Sequence, residues 1–293
     1  MLQDFTQRVP PPLLFRYLSE KTALLFLNDP HLRFSNPTSF NDPFEFRPEL
    51  KIKLRGSDFA ELLAHNELSP STSVQEAQRI LAPRVHNEAS NRYHVLCFTE
   101  DPLNLLMWAH YAESHTGCAF GFDSDLFVPF RQLGLTAGPV IYGDKRPVLE
   151  LPEQVNFEGT IKAIFTKGTA WSYEREWRLA IKGDGANKPK REMSFDPDLL
   201  RVIIAGARCT DAKFTAIRNA LSANSRLKHV ELVRAGTHEH GFNLKLKRRN
   251  GAPFSLEHFT ENFVKSRHTR RERGHTWYAE GMRKRAAKGL PIS

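Results

Sequence analysis

Apolar and polar positions along this chain change period several times, from alternation over short runs to recurrence every three or four residues. Short apolar runs bounded by polar residues occur at 13–18 (LLFRYL), 31–34, 94–99 (HVLCFT), 118–122 (CAFGF), 138–142, 200–205 (LRVIIA), 229–233 (HVELV) and 242–247, and they predict strands. Helical spacing predicts helices after 18 as far as Leu27, over 103–112, over 157–165 and over 211–221. The stretch 57–92 carries Phe59, Leu62, Leu63 and then apolar positions over 74–81, broken by polar residues and Pro70, and reads as a helical insertion or lid at 55–92. Strands alternating with helices, ending in hairpin-like runs, predict a mixed α/β or α+β domain over 1–250. Its core is a single central mixed sheet with flanking helices. A helical tail is expected over 251–293, with helices at 254–264 and 278–287.

The densest polar chemistry in an apolar setting lies between Cys97 and Asp123. Glu100-Asp101-Pro102 marks a helix start, which places Leu103, Leu106, Met107 and His110 on one face with Trp108 and Tyr111 flanking it. His115 and Gly117 then end the helix. These aromatics and histidines read either as packing at a core edge or as one wall of a ligand pocket, since helix ends and the turns after them readily build pockets.

A second informative stretch runs from Phe165 to Ile181. Alternation from Glu174 onward puts Glu174, Glu176, Arg178 and Ala180 on one strand face and Arg175, Trp177, Leu179 and Ile181 on the other. This pattern is either a solvent-exposed Glu–Arg ladder or a carboxylate aimed into a cleft and held by Arg178 and Lys167. In the second case it is available as a general base or as an acceptor for ribose hydroxyls. Which of Glu174 and Glu176 faces the cleft is open. Arg16 and Tyr17 fall on opposite faces of the first strand, and an Arg there needs either a carboxylate or an anionic ligand. The turn-forming run from Ser35 to Glu45, with Asn41, Asp42 and two prolines, predicts a rigid polar loop that suits a binding wall.

With 293 residues and 40% hydrophobic content the chain has material for a large core, and no apolar run approaches membrane-span length. The start, MLQDFTQRVPPP, lacks the pattern of a secretory signal, so a cytoplasmic protein is expected. Cys97, Cys118 and Cys209 form no paired motif and read as buried thiols. A mixed metal site with His94, His110 and His115 is disfavoured because the cysteines sit inside strands, so no metal is expected. The net charge of +9 is uneven. Between Lys265 and Lys288 nine Lys/Arg face Glu272 and Glu280, and the aromatics Trp277 and Tyr278 lie among them. That tail is either solvated or a nucleic-acid contact.

Several blocks, in order, carry a resemblance: Phe15-Arg16-Tyr17; Phe34-Ser35-Asn36-Pro37 with Phe40-Asn41-Asp42-Pro43-Phe44; Cys97-Phe98-Thr99-Glu100; Met107-Trp108-Ala109-His110-Tyr111 with His115 and Gly117; and Trp171 with Tyr173-Glu174-Arg175-Glu176-Trp177-Arg178. Together they resemble the bacterial family known as domain of unknown function 2971, over roughly residues 12–248. More weakly, the order of an early Arg, a central polar or aromatic residue and a late Glu is similar to ADP-ribosyltransferases. That resemblance implies that NAD is the ligand, with Arg16 on its phosphates or ribose and Ser35 or Tyr111 in the central role. Glu176, or Glu174, would then be the catalytic carboxylate. The Ser-Thr-Ser block of such enzymes is missing here. The expected site therefore comprises Glu176, Glu174 and His110 as catalytic candidates. Arg16, Tyr17, Ser35, Asn41, Asp42, Trp108, Tyr111, His115, Lys167 and Arg178 are the ligand-binding candidates, and the ligand is a nucleotide-type small molecule. A toxin or phage-defence effector would fit this activity. The rivals are a non-catalytic nucleic-acid-binding or sensor protein working through the basic tail, and a hydrolase or nuclease using Asp42, His110 and Glu176.

Overall fold

The alternating apolar runs pair into one nine-stranded sheet in the computed structural model, which describes residues 8–128, 136–151, 157–183 and 192–272 of the chain. Its strands are β1 (Leu13–Leu18), β2 (Tyr93–Thr99), β3 (Cys118–Asp123), β4 (Thr136–Pro139), β5 (Glu176–Lys182), β6 (Leu200–Ala205), β7 (Glu231–Thr237), β8 (Leu244–Lys247) and β9 (Pro253–Phe254). They lie in the order β9-β8-β7-β6-β3-β1-β2-β5-β4. Only β6 and β7 pair in parallel; the other neighbours are antiparallel. The helices are α1 (Glu20–Asn28), α2 (Gly56–His65), α3 (Val74–Arg92), α4 (Leu105–Tyr111), α5 (Phe157–Ile164), α6 (Asp211–Ala223) and α7 (Leu256–Glu272). The parallel pair requires a crossover, and α6 supplies it. The architecture is mixed α+β around a central mixed sheet.

Alternation along the strands sorts the core onto two faces. On one, Leu14, Leu18, Phe120, Phe122, Trp177 and Leu179 pack under α1 and α6. On the other, Phe15, Tyr17, Ala119 and Ile204 meet Trp108 and the Phe263 side chain of α7, and farther along Val95 and Ala180 meet Ile161 and Phe165 of the α5 region. Gly121 of β3 permits this second face to close, because a Cβ there would stand 2.6 Å from both the Phe15 ring and Val202. Helices α2 and α3, with the strand pair Glu49–Ile52 and Val148–Leu151, form a separate apolar cluster. Helix α7 is tied down by Arg267, which bonds Asp125 and stands 3.2 Å from Asp123.

One irregularity of the sheet decides where chemistry sits. β1 pairs with β3 along its whole length but with β2 only at Phe15–Thr99. Farther along β2, the backbone of Val95 exchanges hydrogen bonds with Ser35 instead. β1 and β2 therefore splay apart, and the gap between them opens toward Arg16, Ser35 and Cys97.

Several element boundaries differ from expectation. The strand expected from Glu174 begins at Glu176, because Thr169–Glu174 is a 3₁₀ turn closed by Arg175 at φ 43. Helix α4 begins at Leu105 rather than Leu103. The Asn104 side chain accepts from the Leu106 and Met107 N–H groups, whereas Asp101 caps a preceding turn at Leu103. The run 138–142 is broken at Val140, where bonding switches from Glu176 to Phe165. The strands expected at 229–233 and 242–247 occupy Glu231–Thr237 and Leu244–Lys247. The first tail helix runs on to Glu272, and the helix expected at 278–287 lies outside the described residues.

Candidate functional site

The gap between β1 and β2 is a cavity of about 290 Å³. Its floor comes from adjacent strands: Cys97 is paired with Arg178 and Thr99 with Glu176, so these four side chains share one face of the sheet. Its sides are Arg16 and Tyr17 from β1, Ser35 and Asn41 from the turn-rich loop, and Tyr111 from the last turn of α4.

At one end the cavity meets a buried charge cluster. Glu174 and Glu176 are 2% and 6% exposed, Lys167 7% and Arg178 1%, so the exposed Glu–Arg ladder is not what forms. Arg178 grips Glu176 in a two-point fork, Nε to Oε1 at 2.9 Å and Nη2 to Oε2 at 2.8 Å, and donates from Nη1 to Glu45 at 2.7 Å. Lys167 donates to Glu174 at 2.5 Å and stands 3.6 Å from Glu176 and 3.7 Å from Glu45. Tyr111 donates to the other oxygen of Glu174 at 2.6 Å and itself accepts from Asn41 at 2.9 Å. Three carboxylates thus share two cations. The cluster has no surplus cation, and one Glu45 oxygen accepts no hydrogen bond.

This imbalance drives the two site carboxylates apart. Burial and the adjacent Glu176 charge push the Glu174 carboxyl up from its ordinary value, against the pull of Lys167. Burial also works against ionised Glu176, but Arg178 and Lys167 outweigh it and hold the group well below the ordinary carboxylate range. Two carboxylates of divergent acidity on one cavity can divide the labour of a fixed charge and a proton carrier. Cys97 hydrogen-bonds Glu176, and burial with that charge raises its thiol well above the ordinary value, which favours the thiol over the nucleophilic thiolate.

Arg16 contrasts with the cluster. Its side-chain hydrogen bond goes to the Arg33 carbonyl at 3.1 Å, it pairs with no carboxylate among the described residues, and burial pushes its guanidinium down to about 10. A half-buried cation on a cavity wall with no carboxylate partner among the described residues can accept an anion.

The backbone is strained where it serves the site. Arg175, between the two carboxylates, and Phe46, next to Glu45, have φ of 43 and 55. Such conformations cost roughly 1–3 kcal/mol each and persist where the surroundings enforce them.

Of the expected site residues, Arg16, Tyr17, Ser35, Asn41, Tyr111, Lys167, Glu174, Glu176 and Arg178 line this one cavity. Asp42 lies on a neighbouring cavity, with its carboxylate capping the Phe44 N–H. Trp108 is fully buried, its indole N–H bonded to Pro102, and His115 stacks against it at 6.2 Å. His110 and Leu106 are exposed, because the face that α4 buries carries Met107 and Trp108. Asp42, His110 and Glu176 do not converge. Sequence reasoning passed over Glu45, whose only signal is an acidic residue between Phe44 and Phe46 at the end of a turn, and treated Cys97 as a plain buried thiol. Among the described residues no group of three or more His, Cys, Asp or Glu is arranged to hold a metal, and no helix is long and apolar enough to cross a membrane.

No curated protein and no solved structure matches the chain. A family model does match, narrower than the span over which the sequence blocks are spread, and it includes Tyr111, Lys167, both site carboxylates and Arg178. Residues 107–179 match the family described as "Protein of unknown function (DUF2971)".

Proposed function

We propose that the cavity binds a nucleotide-type ligand and that the chain acts on it as an NAD-dependent, ADP-ribosyltransferase-like enzyme, a chemistry that would suit a toxin or phage-defence effector. The observation that carries this reading is the placing of an unpaired, desolvated Arg16 on the same cavity as two carboxylates of opposed acidity. The residues present fit such a ligand: Arg16 would take a phosphate, and Phe15, Phe40, Met107 and Tyr111 offer apolar and aromatic wall to a ring. At about 290 Å³ the space matches the reactive half of a dinucleotide rather than all of it.

NAD would supply a glycosidic bond to its ribose whose cleavage releases neutral nicotinamide and leaves positive charge on the sugar. Glu176, kept ionised and immobile by the Arg178 fork, provides negative charge beside that position without reorganising. Glu174, raised in pKa and oriented by Tyr111 and Lys167, accepts the proton that the attacking acceptor group gives up. Tyr111 is itself held by Asn41, so the loop and α4 together set the angle of Glu174.

The test is incubation of purified protein with NAD and cell lysate, reading nicotinamide release and mass gain on protein or nucleic acid. Wild type should release nicotinamide. Glu176→Gln and Glu174→Gln should each lose ~10²-fold or more in rate, the scale of a lost electrostatic or proton-transfer group. Arg16→Ala should act chiefly on KM. No release from folded wild-type protein would overturn the reaction and turn attention to the non-catalytic sensor alternative.

A further inference from the structure

A second cavity, of about 490 Å³, lies on the far side of Lys167, whose side chain is a wall of both. The turn-rich loop builds the two at once. Asp42 caps the Phe44 N–H and its carbonyl accepts from Glu45, so the turn sends Glu45 inward to the charge cluster and leaves the Phe44 ring 64% exposed on the second cavity. Trp171, Arg47, Lys145 and Arg146 line the same cavity.

Those three cations are exposed and pair with no carboxylate among the described residues. The acidic groups nearby are engaged elsewhere, Asp42 on the Phe44 N–H and Asp144 on the Thr169 hydroxyl at 2.6 Å. Arg146 stands over the Phe44 ring at 5.9 Å and the Lys167 ammonium over the Trp171 ring at 4.6 Å. Unpaired cations beside the exposed Phe44 ring, with Trp171 on the same cavity, make up the two halves of a nucleotide recognition surface: charge for phosphate and π-surface for a base.

We infer that this second cavity is a nucleotide-binding site, in which Arg47, Lys145 and Arg146 hold phosphate and Phe44 or Trp171 stacks on the base. The site needs no reaction in the first cavity and stands independently of the one proposed there. The same chemistry is offered by a free nucleotide and by a nucleotide within single-stranded nucleic acid. A set of exposed cations on one cavity suits either source.

The experiment measures binding to the full chain directly, by calorimetry with AMP and ATP and by fluorescence anisotropy with labelled single-stranded oligonucleotides. Both are run on wild type, Arg47→Ala/Arg146→Ala, Phe44→Ala and His110→Ala. The double variant should bind at least tenfold more weakly. On an oligonucleotide its slope of log affinity against log salt should fall by about 1.4, the share of two phosphate contacts on a single strand. Phe44→Ala should weaken binding about fivefold or more, and His110→Ala, whose exposed ring lines neither cavity, less than twofold. Binding of mononucleotides alone assigns a free ligand, and tighter, salt-dependent binding of oligonucleotides assigns nucleic acid. Absence of both, or affinity unchanged in the double variant, would overturn the site. Nicotinamide release measured alongside separates the two cavities, since loss of that activity leaves these binding outcomes in place.

Discussion

Two regions of this chain are dense in polar and aromatic residues, and only one of them converges on a cavity. The cluster around Glu174, Glu176, Lys167 and Arg178 directs its charged ends toward a common cavity from a strand, a 3₁₀ turn and a two-stranded ribbon. The end of α4, with Trp108, His110 and His115, sends its side chains three ways: into the core, into solvent and flat against a neighbour. That helix end works as a fastening. Glu113, Ser114 and His115 all take left-handed backbone angles, His115 N–H returns to the Trp108 carbonyl, and the His115 carbonyl accepts from Arg208. Gly206 is pressed so close that a Cβ would stand 2.1 Å from the His115 oxygen. Chemistry-bearing residues become a site when the backbone aims them at shared space, and the helix end lacks that convergence.

The largest way to break the contrast is to unbalance the cluster. Arg178→Met removes the guanidinium that neutralises both Glu176 and Glu45, leaving buried carboxylates without their main partner. Breaking a buried pair from one side costs about 3–5 kcal/mol, so the urea midpoint should fall steeply. A midpoint close to wild type would show that water reaches these carboxylates and that the cluster is not the closed network its geometry describes.

A smaller and more specific effect is the pH dependence of stability. Glu176 is depressed in the folded state, so its contribution is present above the unfolded value near 4.3 and is lost as pH falls below it toward the folded value. Glu174 is raised, so the folded state binds a proton more readily than the unfolded chain, and its contribution is lost as pH rises from about 4.3 through the raised value. These two groups therefore give stability slopes of opposite sign on either side of about 4.3. Glu176→Gln should flatten the acid side and Glu174→Gln the other, read from denaturation midpoints across pH. If both variants changed the same limb, the assignment of opposed shifts would be wrong.

Much of this site was legible because strand alternation is strict. Glu176 and Arg178 are two apart in a strand, and no tertiary information was needed to place them together. Glu174 arrived on the same side for another reason, since the left-handed Arg175 breaks the strand yet returns its neighbour to the cavity. Arg16 was legible as a charge demanding an anion, whereas Glu45 became part of the cluster only through a turn whose direction depends on Asp42 and Phe46. The splaying of β1 from β2, which creates the cavity, depends on Ser35 taking a backbone partner some sixty residues away in sequence, and no local pattern encodes that. The helix face was misread because its register hung on which residue caps it. Asn104 caps the helix, and the stripe it buries runs through Met107 and Trp108 instead of Leu106 and His110.

The smallest expected effect belongs to that residue, and it sharpens the comparison most. His110 lies on α4 one position before Tyr111, which holds Glu174, so proximity in sequence alone would make it part of the site. Its ring is exposed, meets Tyr111 edge-on at 6.2 Å, and does not line the cavity. His110→Ala should therefore leave the denaturation midpoint and nicotinamide release at wild-type levels, while Tyr111→Phe, which removes the hydroxyl that both orients Glu174 and accepts from Asn41, should lower release severalfold. A loss in His110→Ala comparable to that in Tyr111→Phe would mean that the imidazole reaches a bound ligand from the solvent side, and the site would then begin at His110 rather than at Tyr111.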